Sequence, residues 1–383
     1  MNEVLFAFYF FSLVVCYIYI VFILCACFGW ARTKTFHCSS QKEYKTRVSV
    51  ILAARNEEDN IEACLKSLLS QDYPDNLFEI IVVDDNSADA TAQRVGTLQQ
   101  TQKNIKLIRL KDEETIVAFK KRAIAKAIGE AIGDLIVTTD ADCVMHNKWL
   151  STLACFYEKE KPKMIVGPVV FHREESVFEI MQSLEFMGLI ATGAAAIYFN
   201  SPIMCNGANL AFEKNAFYSV KGYENIDNIA SGDEVLLMQK MHKVFPGSIK
   251  FIKSADAIVY TKACKTISEF IQQRIRWASK AFQSGTLSSI IISGFVFFYN
   301  VFILFALLSG AFYPKFLSLF LLLFGIKCGI DFLFLLLSSA FFHKKRYLLL
   351  LLPQQFIYVF YVCVTGVWST ISKKYHWKGR LVK

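Results

Sequence analysis

The sequence predicts a mostly parallel α/β domain framed by transmembrane helices. Two observations carry this. Val4 to Ala31, Ala281 to Pro314 and Tyr347 to Ser372 contain no Asp, Glu, Lys or Arg, and each exceeds the roughly 20 residues that cross a bilayer. Between the first and second of these, short apolar runs alternate with helical patterns, and two of the runs end abruptly in carboxylates. Alternation of this kind builds a parallel sheet covered on both faces, with ligands just beyond the carboxyl ends of the strands.

Residues 1–46 read as an N-terminal anchor and basic linker, because the apolar stretch is longer than a signal peptide and lacks an evident cleavage pattern. Arg32 and Lys34 follow it directly and place the globular domain, residues 47–280, on the cytoplasmic side. Val48 to Ala54 is the first strand. Asn56 is expected to cap the next helix, with Glu57, Glu58 and Asp59 in its first turn and Ile61, Leu65, Leu68 and Leu69 on its buried face. The strand Glu79 to Val83 runs into Asp84-Asp85-Asn86-Ser87, where Ser87 is expected to cap a second helix. Ile105 to Leu110 is a third strand, and Lys120 to Ala131 a helix bearing four basic residues.

That helix leads to the stretch on which the site is expected to centre, Gly133 to Asp142. Leu135 to Val137 form a buried strand, and Asp140 and Asp142 follow one residue apart, a spacing that can hold a divalent cation through hard oxygen ligands. By spacing alone a solvated acidic turn is the commoner source of Asp-x-Asp. A second strand ending in acids, Asp84 and Asp85, weighs against chance.

Farther on, Met164 to Phe171 reads as one strand. Ser176 to Ile197 suits either a helix at the membrane surface or a buried domain helix. Asn206 to Leu210 contains a glycine that allows close backbone approach. Ser231-Gly232-Asp233-Glu234 opens a helix, where the two acids are either functional or ordinary N-terminal capping acids. Gln273-Arg274-Ile275-Arg276-Trp277 offers a guanidinium fork suited to a diphosphate and an indole suited to a sugar ring, although an interfacial helix uses the same residues. Residues 281–383 form a C-terminal membrane region with a basic tail. Within Phe316 to Phe342 the charges Lys327 and Asp331, four apart, are placed to neutralise each other.

The net charge of +9 does not point to nucleic acid, because the basic residues cluster beside the apolar stretches, as the positive-inside bias and anionic headgroups require. The eleven cysteines include no Cys-x-x-Cys, so a disulfide framework or zinc site is not expected.

These motifs in order (Val48 to Ile51 with Asn56-Glu57, Val82 to Ser87, Thr139 to Cys143) resemble family 2 glycosyltransferases of the GT-A fold over residues 47 to 280. Gln273 to Trp277 resembles the Gln-(Gln/Arg)-x-Arg-Trp motif of membrane-embedded members such as cellulose and hyaluronan synthases and ceramide glucosyltransferases. Trp377 to Arg380 is similar to a tail motif of some of them. The resemblance implies an inverting transfer from a nucleotide-sugar donor to a membrane lipid or a growing glycan. It places Ala54, Asn56, Glu57, Asp84, Asp85, Lys120, Asp140, Gln273, Arg274, Arg276 and Trp277 at the donor, and Asp142 with Asp140 at Mg2+ or Mn2+. Glu234 or Asp233 becomes the general base. Phe119 stands where the family has glycine before Lys120, which leaves the role of Lys120 open. A processive polysaccharide synthase and a transporter are the competing expectations. The location implied is a bacterial cell membrane.

For topology, four full crossings would put the basic tail on the wrong face. The expectation is therefore that Tyr347 to Ser372 is re-entrant, broken near Pro353, Gln354 and Gln355.

Overall fold

The computed structural model describes residues 3–38, 43–110, 119–226, 233–284, 287–371, 375–377 and 380–382. In chain order the helices are α1 (Glu3–Arg32), α2 (Ile61–Leu69), α3 (Thr91–Thr101), α4 (Phe119–Glu130), α5 (Trp149–Glu160), α6 (Val177–Tyr198), α7 (Lys214–Ser219), α8 (Asp233–Val244), α9 (Ile267–Ser284), α10 (Leu287–Gly310), α11 (Pro314–Phe341) and α12 (Leu351–Ile371). The strands are β1 (Val48–Ala54), β2 (Phe78–Asp84), β3 (Ile105–Arg109), β4 (Leu135–Asp140), β5 (Val144–Met145), β6 (Met164–Val166), β7 (Val169–Phe171), β8 (Leu210–Glu213), β9 (Ile249–Phe251), β10 (Val259–Thr261), β11 (Tyr375–Trp377) and β12 (Arg380–Val382). They group into two compact units. One holds Met1–Arg32, Glu174–Ala195 and Ala263–Tyr375, and the other Thr33–Arg173, Ala196–Lys262 and His376–Lys383.

The second unit is the α/β body. Its seven-stranded sheet runs β3-β2-β1-β4-β8-β6-β9, with β1 to β4 parallel and β8 antiparallel to both neighbours. Val50, Leu52, Ile80, Val82, Leu135 and Val137 are fully buried, as strands covered on both faces require. The run Met164 to Phe171 is two strands rather than one. It breaks at Gly167 and Pro168, and β7 joins a separate three-stranded sheet with β10 and β5. A Cβ on Gly167 would lie 2.3 Å from the Asn209 side chain, so the chain must turn tightly there.

Two expected caps also differ. Asn56 has φ 51° and ends β1 in a left-handed residue; the helix begins only at Ile61. The Asn56 side-chain oxygen instead accepts from the Ala88 N–H at 2.9 Å, while the Asn56 N–H donates to Ser87 Oγ at 3.1 Å. Ser87 therefore serves this cross-link, and α3 begins at Thr91. The long-range partner outbids the local cap because both loops leave adjacent strands.

The first unit is built on long apolar helices. Among the described residues five segments are long and apolar enough to cross a membrane: Phe6–Arg32, Val177–Tyr198, Leu287–Gly310, Pro314–Phe341 and Lys345–Ser369. Lys327 Nζ donates to Asp331 Oδ2 at 2.6 Å and to Gln355, and the Tyr19 hydroxyl donates to Asp331 Oδ1 at 2.6 Å. The ammonium also stands 4.5 Å from the Tyr358 ring centroid. An unpaired charge in hydrocarbon costs several kcal/mol, so this belt across α1, α11 and α12 accounts for Lys327 and Asp331 as structural partners of each other, of Tyr19 and of Gln355.

α12 is an unbroken helix from Leu351 to Ile371, so the break expected near Pro353, Gln354 and Gln355 is absent, and a re-entrant course rests on the basic residues of the tail. A 3-10 segment, Lys345–Leu350, precedes it, and Pro353 falls in its first turn, where no backbone donor is lost. A Cβ on Gly366 would stand 2.4 Å from the Phe297 ring of α10, so the two helices pack closely there. Tyr361 likewise packs edge-on against Phe270 of α9, with ring centroids 5.1 Å apart. Lys373, Lys374, Lys378 and Lys383 lie outside the described residues. A topology reporter fused after Lys383 is expected to signal on the same side as one fused after Arg32; an opposite-side signal contradicts the re-entrant course.

Candidate active site

The parallel register sets the site. Ala54 of β1 pairs with Asp84 of β2, and Ala53 pairs with Asp140 of β4, so three strand ends open on one edge. The chain leaves β1 between neighbours on opposite sides, which is where an open α/β sheet forms a crevice.

On one side of the crevice the loops after β1 and β2 are laced together. Asp85 N–H donates to Ala54 O at 2.9 Å, and Arg55 donates to Asp85 O at 2.7 Å. Glu57 N–H donates to Thr91 Oγ1 at 2.7 Å, and the Glu57 carboxylate accepts from Asn60. Glu58 N–H donates to Asp89, whose other oxygen accepts from Thr91. Burial pushes the Asp89 carboxyl up slightly, but these hydrogen bonds win and hold it below its ordinary value. Within this rigid frame Asp84 is 5% exposed and its Oδ1 has no partner among the described residues. A buried carboxylate oxygen without a donor is costly, and a ligand N–H or O–H would satisfy it.

On the other side are the acids of β4. Asp142 accepts from Thr261 Oγ1 at 3.3 Å and from the Cys143 thiol at 3.6 Å. The Cys64 thiol donates to Asp140 O at 3.7 Å. Burial, reinforced by the charges of Asp142 and Asp140, pushes both thiols up, so they stand beneath the acids as neutral donors rather than metal ligands. Asp140 Oδ1 holds the Lys120 ammonium at 2.9 Å, and the same ammonium lies 3.2 Å from Glu234 Oε1. The edge of β4 therefore already accommodates a cation. Among the described residues no three His, Cys, Asp or Glu side chains cluster as a complete metal cage. Two hard carboxylates with the remaining positions left to a diphosphate and water fit Mg2+ or Mn2+.

Glu234 arrives from the first turn of α8. The Thr138 hydroxyl of β4 donates to Gly207 O at 2.9 Å, which fixes the turn Gly207–Asn209 against the strand end. A Cβ on Gly207 would lie 2.2 Å from Glu234 Oε1. A side chain at this position would displace the carboxylate, and φ is not the reason for the glycine. Asn209, 1% exposed, accepts from the Trp149 indole at 3.1 Å and donates to Pro168 O and Ala257 O. It ties the turn to both sheets. Asp233 begins α8, but its side chain, with Ser231 and Gly232, lies outside the description.

Gln273, Arg274, Arg276 and Trp277 belong to the first unit. Arg274 is 5% exposed and bonds Glu185 of α6 through two nitrogens at 3.2 and 2.7 Å. Its guanidinium stacks at 4.4 Å from the Phe270 centroid and 4.3 Å from Trp277, and Gln273 accepts from it at 2.7 Å. Trp277 in turn stacks with Phe186 at 5.9 Å. Arg274 thereby holds α6 and α9 together, a role the linear motif does not reveal. Arg276 is half-buried. Sequence reasoning also missed the link from Lys120 to Glu234, 114 residues apart, for which no local signal exists.

The chain matches Glycosyl transferase family 2 over residues 49–218 and Glycosyl transferase family group 2 over residues 135–370. It is 26% identical over 246 residues to a poly-beta-1,6-N-acetyl-D-glucosamine synthase of Staphylococcus epidermidis, covering 62% of this chain and 55% of the relative. It is 24% identical over 257 residues to an N-acetylglucosaminyltransferase of Rhizobium meliloti, covering 64% and 58%. The chain thus spans little more than half the length of these curated relatives. Among solved structures, a mannosyltransferase from Pyrobaculum calidifontis in complex with GDP-Man and Mn2+ superposes with a TM-score of 0.55 at 17% identity, covering 95% of this chain and 97% of that one. This likeness shows a shared fold.

Proposed function

The chain belongs to glycosyl transferase family group 2, and from that premise we propose that it moves a sugar, with inversion, from a nucleoside diphosphate sugar to a membrane-associated lipid. The observation that carries this is the crevice at the ends of β1, β2 and β4, where an unpartnered Asp84 oxygen, the acids Asp140 and Asp142, and Glu234 converge on one edge of one sheet.

Asp84 accepts a hydrogen bond from the nucleoside, and the laced loops at Asn56, Glu57 and Asp85 keep that half of the crevice rigid. Asp142 and Asp140 would hold a divalent cation, whose charge would offset that of the diphosphate leaving group. Glu234, with Asp233 the alternative, takes the proton from the acceptor hydroxyl, which attacks the anomeric carbon from the side opposite the leaving nucleoside diphosphate. One base suffices, because a diphosphate whose charge is held needs no proton to leave.

A lipid acceptor is supported by a first unit whose α6 and α9 carry Glu185, Arg274 and Trp277 among apolar residues. The segment Gln273 to Trp277 supports a membrane-embedded member of the family. Growth of a glycan chain is the second reading, favoured by the name of the Staphylococcus relative. The body is proposed to face the cytoplasm, from Arg32 and Lys34 beside α1.

The test is purified protein in lipid with a panel of radiolabelled nucleotide sugars, followed by separation of solvent-extractable from polymeric product. Label in the extractable fraction is the expected result, and label in polymer establishes the second reading. No transfer from any donor, with and without added membrane lipid, removes both.

A further inference from the structure

The position of Lys120 exceeds what donor binding requires. One ammonium lies 2.9 Å from Asp140 and 3.2 Å from Glu234, joining an acid of the donor side to the acid assigned as base. The side chains are 25%, 38% and 13% exposed in the order Lys120, Asp140, Glu234, so these attractions are only partly screened by water. Three carboxylates at one strand edge repel each other, and an ammonium on a flexible stem is a compact charge that can relieve this and still move. The next residue supplies the fixed point. Lys121, 2% exposed, donates to Ile226 O at 2.6 Å, which pins the start of α4 beside Lys120.

We propose that Lys120 is a built-in competitor for the divalent cation: it occupies Asp140 and Glu234 while the crevice is empty and must release Asp140 before the cation binds. The proposal rests on the metal-dependent reading above. Its consequence is an order of events. The donor-free protein holds the cation weakly, so cation and diphosphate arrive together, and Lys120 keeps its contact with Glu234 while Asp140 changes partner. Free cation in the cell then does not fill the site without donor.

The test measures Mn2+ alone against the donor-free full chain, through the electron paramagnetic resonance signal of unbound Mn2+. Lys120→Gln and Lys120→Met are both expected to bind Mn2+ about tenfold more tightly than the parent, the scale of removing one partly exposed competing charge. Lys120→Arg, which keeps the charge, is expected to bind like the parent, and thermal melting confirms that each variant is folded. Unchanged or weaker binding in both neutral variants, with Asp142→Asn still abolishing it, overturns the competitor role while the metal site stands. Absence of Mn2+ binding in every protein, even with nucleoside diphosphate added, overturns the metal-dependent reading and the proposal with it.

Discussion

Glu234→Gln is expected to lower the turnover rate by about 10²- to 10⁴-fold, the usual worth of a general base, while donor affinity stays nearly unchanged. A group that acts only in the transition state alters kcat and leaves ground-state binding alone. Gln keeps the shape of the side chain against Gly207 and removes its negative charge, and with it both the ability to take a proton and the ion pair with Lys120. Parallel measurement of initial rate and of donor binding in parent and variant checks this. Asp233→Asn is the control: if it alone produces the loss, the base is the neighbouring acid and the mechanism survives. Gly207→Ala is a second route to the same prediction. Its new Cβ would stand 2.2 Å from Glu234 Oε1, so the carboxylate must shift, and a displacement of about 1 Å at a reacting group can cost about 10²-fold. A folded Gly207→Ala protein at full rate would count against Glu234.

Asp142→Asn is expected to abolish transfer in a protein that still inserts and folds. The amide preserves the side chain's size and keeps one of the two acceptor oxygens that face Thr261 and Cys143, but it removes the Asp142 negative charge. Several kcal/mol of transition-state stabilisation depend on charge neutralisation at a diphosphate, so the loss should reach about 10³-fold or more. Chelation by EDTA should produce the same loss in the parent protein and be reversed by added Mn2+ or Mg2+. Full activity in EDTA contradicts the assignment.

The first parallel strands were legible because buried parallel strands advertise themselves as short apolar runs, as in Val50 to Leu52 and Ile80 to Val83, whereas the order of the sheet was not. The acids at their ends were legible for the same reason, since Asp84 and Asp140 interrupt those runs at the point where the register later aligns them. What was not legible depends on partners distant in sequence. Asn56 and Ser87 read as caps because local chemistry favours caps, yet each finds the other across two loops. The strand read through Gly167 and Pro168 breaks because Asn209, some 40 residues away, crowds the turn. The bonds of Arg274 to Glu185 were likewise hidden, because they depend on how α6 packs. Lys120 kept an open role in the sequence for the same reason, its second acid being supplied by α8.

The most direct test of the whole account is nucleoside diphosphate release by the purified protein, given donor, Mn2+ and a membrane lipid extract, compared among the parent, Asp142→Asn and Glu234→Gln. The account predicts lipid-dependent release by the parent and loss of that release in both variants, each of them folded. Equal release by all three proteins contradicts it.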